Sequence, residues 1–314
     1  EADQAYVNRS ILNVLSERSD EWRSWVERID EYTSGMVTAI DGHEAPDRND
    51  RYFLLQTIVG AWPMGLVAPE FHGIDEFRSR VLAYAEKAQR EAKTNTSWTA
   101  VDEEYEGATA RYIDTLLNPK RSPTIVRLIS ELVETILPAG AINALAQKLL
   151  TLTVPGVPDL YQGTERWDFS LVDPDNRRPV DFETRRRDLD NVEATEERCA
   201  HLRRTMRNGE IKEHLTASTL RYRRRHPDLF AVGAYIPLEV RGPRSEHVLA
   251  FLRRVDDRIA VVAVPRFISA VVADSLLPDS KFWDTTRIVI PDSKNVVFTG
   301  ILDGSTTTKR ENGW

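Results

Sequence analysis

Between Asp159 and Asp181 the sequence gathers Asp159, Glu165, Asp168, Asp173, Asp175 and Asp181, with Tyr161, Trp167 and Phe169 among them and Gln162, Arg177 and Arg178 alongside. These residue types suit a carbohydrate. Carboxylates accept hydrogen bonds from sugar hydroxyls, aromatic faces cover the apolar faces of sugar rings, and arginine holds carboxylates in a two-pronged geometry. The same composition also describes an acidic loop whose Asp–Arg pairs only hold its own shape.

Single residues leave both readings open. Asp159 either supports a site from within a barrel or sits at a strand end, paired with a backbone amide. Gln162 and Glu165 lie where a strand opens into a loop, in reach of sugar or of its direct neighbours. Trp167 either stacks on a sugar or plugs the loop. Arg177 and Arg178 either touch substrate or pair with Asp173 and Asp175. Trp98, a lone tryptophan, is expected to pack. Arg221, Arg223, Arg224 and Arg225 point to different sides of a helix and read as a partly snorkelling solvated face. His43 and His72 lack metal spacing, so no metal site and no cofactor is expected. Cys199 lies in a polar helix and reads as an inert thiol.

The elements that must carry the cluster fall into three kinds. Apolar residues at three- and four-residue spacing predict helices over most of residues 1–150, including Ile11 to Leu15, Trp22 to Ile29 and Tyr52 to Trp62 before Pro63. Further helices are predicted at 75–92, 100–117, 123–137 and 140–151, with Asn118-Pro119 and Pro138 as stops. Thr99 and Asp102 have capping-box spacing, and Ser122-Pro123 reads as an N-cap followed by proline at the first helical position. Residues 154–163 are a short apolar run bounded by proline and glycine, read as one buried strand. Thr164 to Phe182 has no period and reads as a long loop, and helix returns over 184–226. From Leu229 the period shifts towards two, with strands expected at 248–252, 259–264, 287–290 and 296–298 and a hairpin turn at Asp256-Asp257. Ser305 to Trp314 is polar and holds no closing apolar strand.

The 314 residues leave room for about two domains. No run approaches the roughly 18 apolar residues of a membrane-spanning helix, and the acidic start Glu1-Ala2-Asp3-Gln4 is unlike a signal peptide. One cysteine excludes an internal disulfide framework. A net charge of -7 argues against nucleic acid as a partner. The expectation is a cytoplasmic protein with neither nucleic-acid nor membrane partners. A lone buried strand needs neighbours for its backbone groups. Either 154–163 is not a strand or its partners lie outside the chain; the second choice makes the chain part of a larger protein.

The run Pro155-Gly156-Val157-Pro158-Asp159-Leu160-Tyr161-Gln162-Gly163-Thr164-Glu165 resembles the eighth barrel strand and following loop of the α-amylase superfamily, glycoside hydrolase family thirteen. The continuation from Trp167 to Asp181 is similar to that of the trehalose-forming branch of the superfamily. So are Asn13 to Glu17 with Trp22, Leu54 to Pro63, and Thr96-Ser97-Trp98 with Asp102-Glu103 and Tyr105-Glu106. The resemblance implies an α+β fragment of a (β/α)8 barrel enzyme. A helical insertion would occupy 1–138, the last barrel strand and helix with a substrate-side loop 139–227, the long helix 194–226 being that last barrel helix, and an antiparallel β domain 228–314. The site would lie at the C-terminal face of the barrel.

The implied reaction turns the reducing-end α-1,4 linkage of a maltooligosaccharide into an α,α-1,1 linkage by retaining intramolecular transfer. Asp159, Tyr161, Gln162, Glu165, Trp167, Asp168, Asp173, Asp175, Arg177 and Arg178 would bind substrate. No residue here matches the family's catalytic carboxylates, so the chain alone is expected to be inactive, with the upstream half of the same enzyme as its partner. The competing readings are an α-glucan hydrolase or glucanotransferase, and a non-catalytic carbohydrate-binding module.

Overall fold

Amphipathic spacing becomes helix through the first part of the chain. A computed structural model describes residues 6–272, 278, 280–291 and 296–308. The start Glu1–Gln4 and the tail 309–314, read above from sequence, lie outside the described residues. The fold divides into two units, one of residues 1–137 and 169–178, the other of residues 138–168 and 179–314.

The first unit holds α1 (Tyr6–Glu17), α2 (Ser19–Thr33), a hairpin of β1 (Thr38–Ile40) and β2 (His43–Ala45), α3 (Arg48–Ala61), α4 (Ile74–Ala92) and α5 (Glu103–Leu116). The long α6 (Pro123–Thr153) begins in this unit and passes into the other at Pro138. Its core is the apolar stripe read from the sequence: Ile11, Val14, Leu54, Ile58 and Val59 are buried. Trp62 closes α3 before Pro63, with Phe77 edge-on at 5.5 Å and its indole N–H donating to the Leu66 carbonyl at 2.9 Å.

Three local expectations for this unit are corrected. Pro138 does not stop a helix; it sits inside α6. Proline in a helix interior costs about 3 kcal/mol. Here buried Leu137, Ala139, Ala141 and Ile142 flank it, and their burial offsets that cost. Thr99 is not the cap of α5. Asp102 caps it, its carboxylate accepting from the Glu104 and Tyr105 amides at 3.1 and 2.9 Å. Ser122 does precede α6, but its buried hydroxyl has no hydrogen-bond partner, so only its carbonyl serves the helix, accepting from the Val126 amide at 3.1 Å.

In the second unit follow α7 (Phe182–Leu189), α8 (Glu196–Arg204), α9 (Glu210–Arg225) and α10 (Pro227–Ala231). Residues 154–163 form no strand, against the sequence expectation. Pro155 and Pro158 remove two amides, Val157 is 97% exposed, and none of the paired strands among the described residues includes this run. The helix expected at 194–226 is two. Between α8 and α9 a turn ends at Gly209, with φ near +80°. A Cβ there would come within 2.9 Å of the Trp167 backbone nitrogen, so glycine lets the start of α9 approach that segment.

The remainder is antiparallel β, as the period-two pattern indicated: β3 (Ala234–Pro237), β4 (Glu239–Arg241), β5 (Val248–Val255), β6 (Arg258–Pro265), β7 (Arg287–Val289), β8 (Val297–Thr299) and β9 (Thr306–Thr308), with a short α11 (Ser280–Trp283). β5 and β6 pair along their whole length around Asp256-Asp257, and Asp256 has a φ of 50°, as a tight two-residue turn requires. β3 lies on the other edge of β5, and β4 pairs with β7. Leu238, Ala250, Leu252 and Ile290 form the core of this region. The polar end does contain a strand: Thr306–Thr308 pair with Val297–Thr299, because β-branched threonines suit an extended ladder without being apolar.

Arg253 on β5 is 1% exposed, and its hydrogen bonds run to backbone carbonyls. Its guanidinium donates to the carbonyls of Thr153, Phe230 and Gly233 at 3.1, 2.9 and 2.8 Å. It thereby ties the ends of α6 and α10 to the sheet. Arg253→Leu strands these buried acceptors. It is expected to destabilise the protein by about 3 kcal/mol, measured as a lowered urea midpoint.

Candidate functional site

The Asp159–Asp181 cluster is divided by the fold. Residues 159–168 belong to the second unit, 169–178 to the first, and the chain returns to the second at Pro179.

In the second unit Asp159 and Gln162 are exposed and Tyr161 is half-buried. Glu165 is held by Arg185, whose Nε lies 3.2 Å from the carboxylate while the same guanidinium donates to the Gly163 and Asp181 carbonyls at 2.9 and 3.0 Å. Arg166 pairs with Glu213 at 2.9 Å and with Asp188. The indole N–H of Trp167 donates to the Met206 carbonyl at 2.6 Å, and its ring faces the Lys212 ammonium at 5.8 Å. Trp167 therefore braces the loop.

Lys212 is buried and donates to the Arg166 carbonyl at 3.1 Å. Burial first, and the charge of buried Lys148 second, lower its pKa to about 7, against the opposing pull of Asp168 and Glu165.

In the first unit the remaining four residues are pinned to helix α4. Arg80 grips Asp175 with two bonds of 2.9 and 2.8 Å and donates to the Phe169 carbonyl at 2.7 Å. The Asp175 carboxylate also accepts from the Leu171 amide at 2.7 Å. Burial would raise the Asp175 pKa, but the Arg80 bonds, the Leu171 amide and the charges of Arg80 and Arg178 together lower it. Lys87 donates to the Asp173 carbonyl at 2.5 Å, and Arg177 pairs with the Asp173 carboxylate. Arg178 lies 3.5 Å from Asp175, 3.6 Å from Glu76, and donates to Ser170 Oγ at 3.0 Å. Asn8 donates to the Ser170 carbonyl at 3.0 Å.

The cluster thus separates by task. Asp173, Asp175, Arg177 and Arg178 bond to one another and to α4, and Glu165 and Trp167 hold the 163–168 turn. Asp159 and Gln162 are exposed and Tyr161 is half-buried. Sequence reasoning missed the partners Arg80, Lys87, Arg166, Arg185 and Lys212. Lys212 carries the clearest signal, since it repeats at helical spacing with Leu215 and Thr219, both buried on the same stripe.

Away from the cluster, Trp98 does not pack: it is 56% exposed, with the Arg90 guanidinium 5.0 Å from its ring centre. Its aromatic surface is shielded by a cation instead of by core. Arg223 folds over Phe230 at 4.8 Å and donates to the Leu152 carbonyl at 2.6 Å, while Arg221, Arg224 and Arg225 are exposed. No group of metal-ligating side chains occurs among the described residues. Among them, no helix is long and apolar enough to cross a membrane.

The solved structures that this arrangement of helices and small antiparallel sheets resembles are carbohydrate enzymes of the α-amylase type. More narrowly, the chain is homologous to part of the maltooligosyl trehalose synthases. Two curated proteins of that name, from Mycobacterium tuberculosis strains CDC 1551 and H37Rv, are each 38% identical over 265 residues, which is 84% of this chain and 30% of theirs. The solved maltooligosyltrehalose synthase of Arthrobacter ramosus superposes with a TM-score of 0.73 at 32% identity, covering 96% of this chain and 34% of that one. A Sulfolobus tokodaii structure with the same enzyme in its name gives 0.59 at 29% identity, over 82% of this chain and 36% of that one. No family model matches the chain. The chain therefore spans about a third of the length of the relatives it matches.

Two stability predictions follow from the two halves of the cluster. Asp175→Asn breaks the paired bonds to Arg80 and is expected to cost about 3 kcal/mol near neutral pH. Because the native pKa is lowered, this contribution is complete above the ordinary carboxylate value of about 3.9 and is lost as pH falls through the native value. The gap in urea midpoint between the wild type and Asp175→Asn closes in acid. Lys212 has the opposite sign. An unfolded lysine titrates near 10.4 and the buried one near 7, so the unfolded chain binds the extra proton between these values. Lys212→Met is expected to stabilise the protein by about 1–3 kcal/mol below pH 7, with the advantage fading towards pH 10.

Proposed function

We propose that this chain is the C-terminal portion of an enzyme that converts the reducing-end α-1,4 linkage of maltooligosaccharides into an α,α-1,1 linkage. The observation that carries the reading is the 38% identity over 265 residues to proteins named for that product, with only 30% of their length covered. Retaining transfer of this kind needs a carboxylate nucleophile and a carboxylic acid about 5–5.5 Å apart. Four carboxylates in and around the loop, Asp173, Asp175, Glu165 and Glu213, are each paired with an arginine, and none of the chain's residues matches the family's catalytic carboxylates. The reaction's carboxylates are accordingly assigned to the remainder of the enzyme, the upstream half.

In this reading residues 154–163, unpaired here, complete a (β/α)8 barrel whose other strands the remainder supplies, with residues 1–138 as the helical insertion and 228–314 as the β domain. Exposed Asp159 and Gln162 contact the sugar, with half-buried Tyr161 between them and Asp168 nearby in sequence. The braces at Glu165, Trp167, Asp173, Asp175, Arg177 and Arg178 keep the loop in place while the freed glucose turns and attacks through its anomeric hydroxyl. A rigid loop serves this step, because water that reached the glycosyl intermediate would hydrolyse it. The enzyme works in the cytoplasm and needs no cofactor.

Incubation with maltopentaose distinguishes the readings. The full-length enzyme is expected to give a non-reducing, trehalose-ended product, and the chain alone none. Conversion by the chain alone would overturn the division of labour. Shortened glucans from the full-length protein would favour a hydrolase or glucanotransferase, and sugar binding by the chain without any conversion in the longer protein would favour a binding module. In the full-length enzyme Gln162→Ala is expected to raise KM about tenfold, the loss of one well-placed sugar hydrogen bond.

A further inference from the structure

We propose that Trp98 is a stacking platform for a glucose unit of an α-1,4-glucan. The identity of the sugar rests on the functional reading above, while the site itself rests on the first unit alone. Trp98 is 56% exposed, on a segment that is otherwise tightly held. It lies at the tip of a two-residue turn. Ser97 and Ala100 exchange backbone bonds of 3.0 and 3.3 Å across it, and the Ala100 amide also donates to the Ser97 hydroxyl at 3.0 Å. The base of the turn is tied as firmly. The hydroxyl of buried Thr96 donates to Glu106 at 2.7 Å and accepts from the Asp102 amide at 3.0 Å. The Asn95 side-chain amide donates to the Asp47 carboxylate and the Tyr105 hydroxyl at 2.9 and 2.8 Å.

Arg90 fixes the ring itself. Its guanidinium lies 5.0 Å from the ring centre and is locked in turn by two bonds to Glu106, of 2.8 and 2.7 Å, and by Glu86 at 2.8 Å. One face of the indole therefore rests on a held plane, and the rest of its surface is open. Among the described residues the indole N–H has no hydrogen-bond partner. A large aromatic surface that is held still and left uncovered is preorganised for a ligand, because little conformational entropy is lost when it is covered.

The surroundings select the ligand. Between Glu86 and Glu106 the sequence carries six carboxylates against three cations, a balance that repels the phosphates of a nucleotide or nucleic acid. A protein partner needs a contiguous apolar patch. Here Val101, 45% exposed, is the one large apolar side chain of the turn and its flanks exposed beside the ring, and Ser97 and Thr99 set a hydroxyl on either side of Trp98 in sequence. A sugar matches both properties. The C–H face of a pyranose lies on the ring, and its hydroxyls bond to the indole N–H and to the hydroxyls of the turn. In the functional reading the sugar at hand is the α-1,4-linked glucose of a maltooligosaccharide.

Maltoheptaitol tests the site. It is an α-1,4-linked glucose chain whose reduced end cannot enter the proposed reaction, so binding is read without turnover. In calorimetric titrations of the full-length enzyme, Trp98→Ala is expected to weaken binding about tenfold and Trp98→Tyr to restore most of it. The urea midpoint is expected to stay unchanged, because the side chain is exposed. Unchanged affinity in Trp98→Ala would overturn the proposal. So would a lowered urea midpoint, which would show the ring packed against the remainder of the enzyme. The two readings fail separately. An enzyme that forms no trehalose-ended product, yet loses maltoheptaitol affinity with Trp98→Ala, keeps the site and refutes the function. One that forms the product, while Trp98→Ala binds as tightly as the wild type, does the reverse.

Discussion

A backbone that leaves helix and sheet must still satisfy its amides and carbonyls. That constraint governs the region from Val154 to Asp181, which apart from one short turn at Asp175–Arg177 has no regular element. The chain meets it with long cationic side chains. Arg80 takes the Phe169 carbonyl, Lys87 that of Asp173, Lys212 that of Arg166, and Arg185 those of Gly163 and Asp181. Each of these cations also sits near carboxylates or an aromatic ring, so holding the backbone and neutralising charge are one act. The acidic character of the loop follows: the carboxylates balance the cations that the irregular backbone requires.

This account changes the meaning of the cluster. A sugar site needs groups free to bond to it, and Glu165, Arg166, Asp173, Asp175, Arg177 and Arg178 are instead paired within their own unit. Exposed Asp159 and Gln162, with half-buried Tyr161, are small beside the scaffold that carries them. A loop built in this way is stiff, and stiffness suits a reaction in which a freed sugar must turn without admitting water.

Much of the fold was legible because much of it is periodic. The apolar stripe of α3 ended where Pro63 said it should, and the β5–β6 hairpin turned at Asp256-Asp257. Legibility failed where distant contacts overruled local chemistry. Pro138 reads as a stop, but buried neighbours keep α6 intact. Residues 154–163 read as a strand from composition, yet a strand exists only with a partner to pair with. At the site, Asp173 and Asp175 stood out as carboxylates, but Arg80 lies 95 residues from Asp175 in sequence, and nothing local announces that pairing. Arg166 and Lys212 were hidden for the same reason: their partners Glu213 and the Arg166 carbonyl meet them only through the turn at Gly209.

Arg253 has a consequence for how this region can change over time. One side chain serves three carbonyls from two helix ends, and the carbonyls belong to the backbone, so no substitution elsewhere can withdraw them. Lysine cannot reproduce the planar fork, and an apolar residue abandons all three acceptors at once. A replacement at 253 that keeps the region intact has to come with a rearrangement of the ends of α6 and α10, which makes this position a fixed point for the β region.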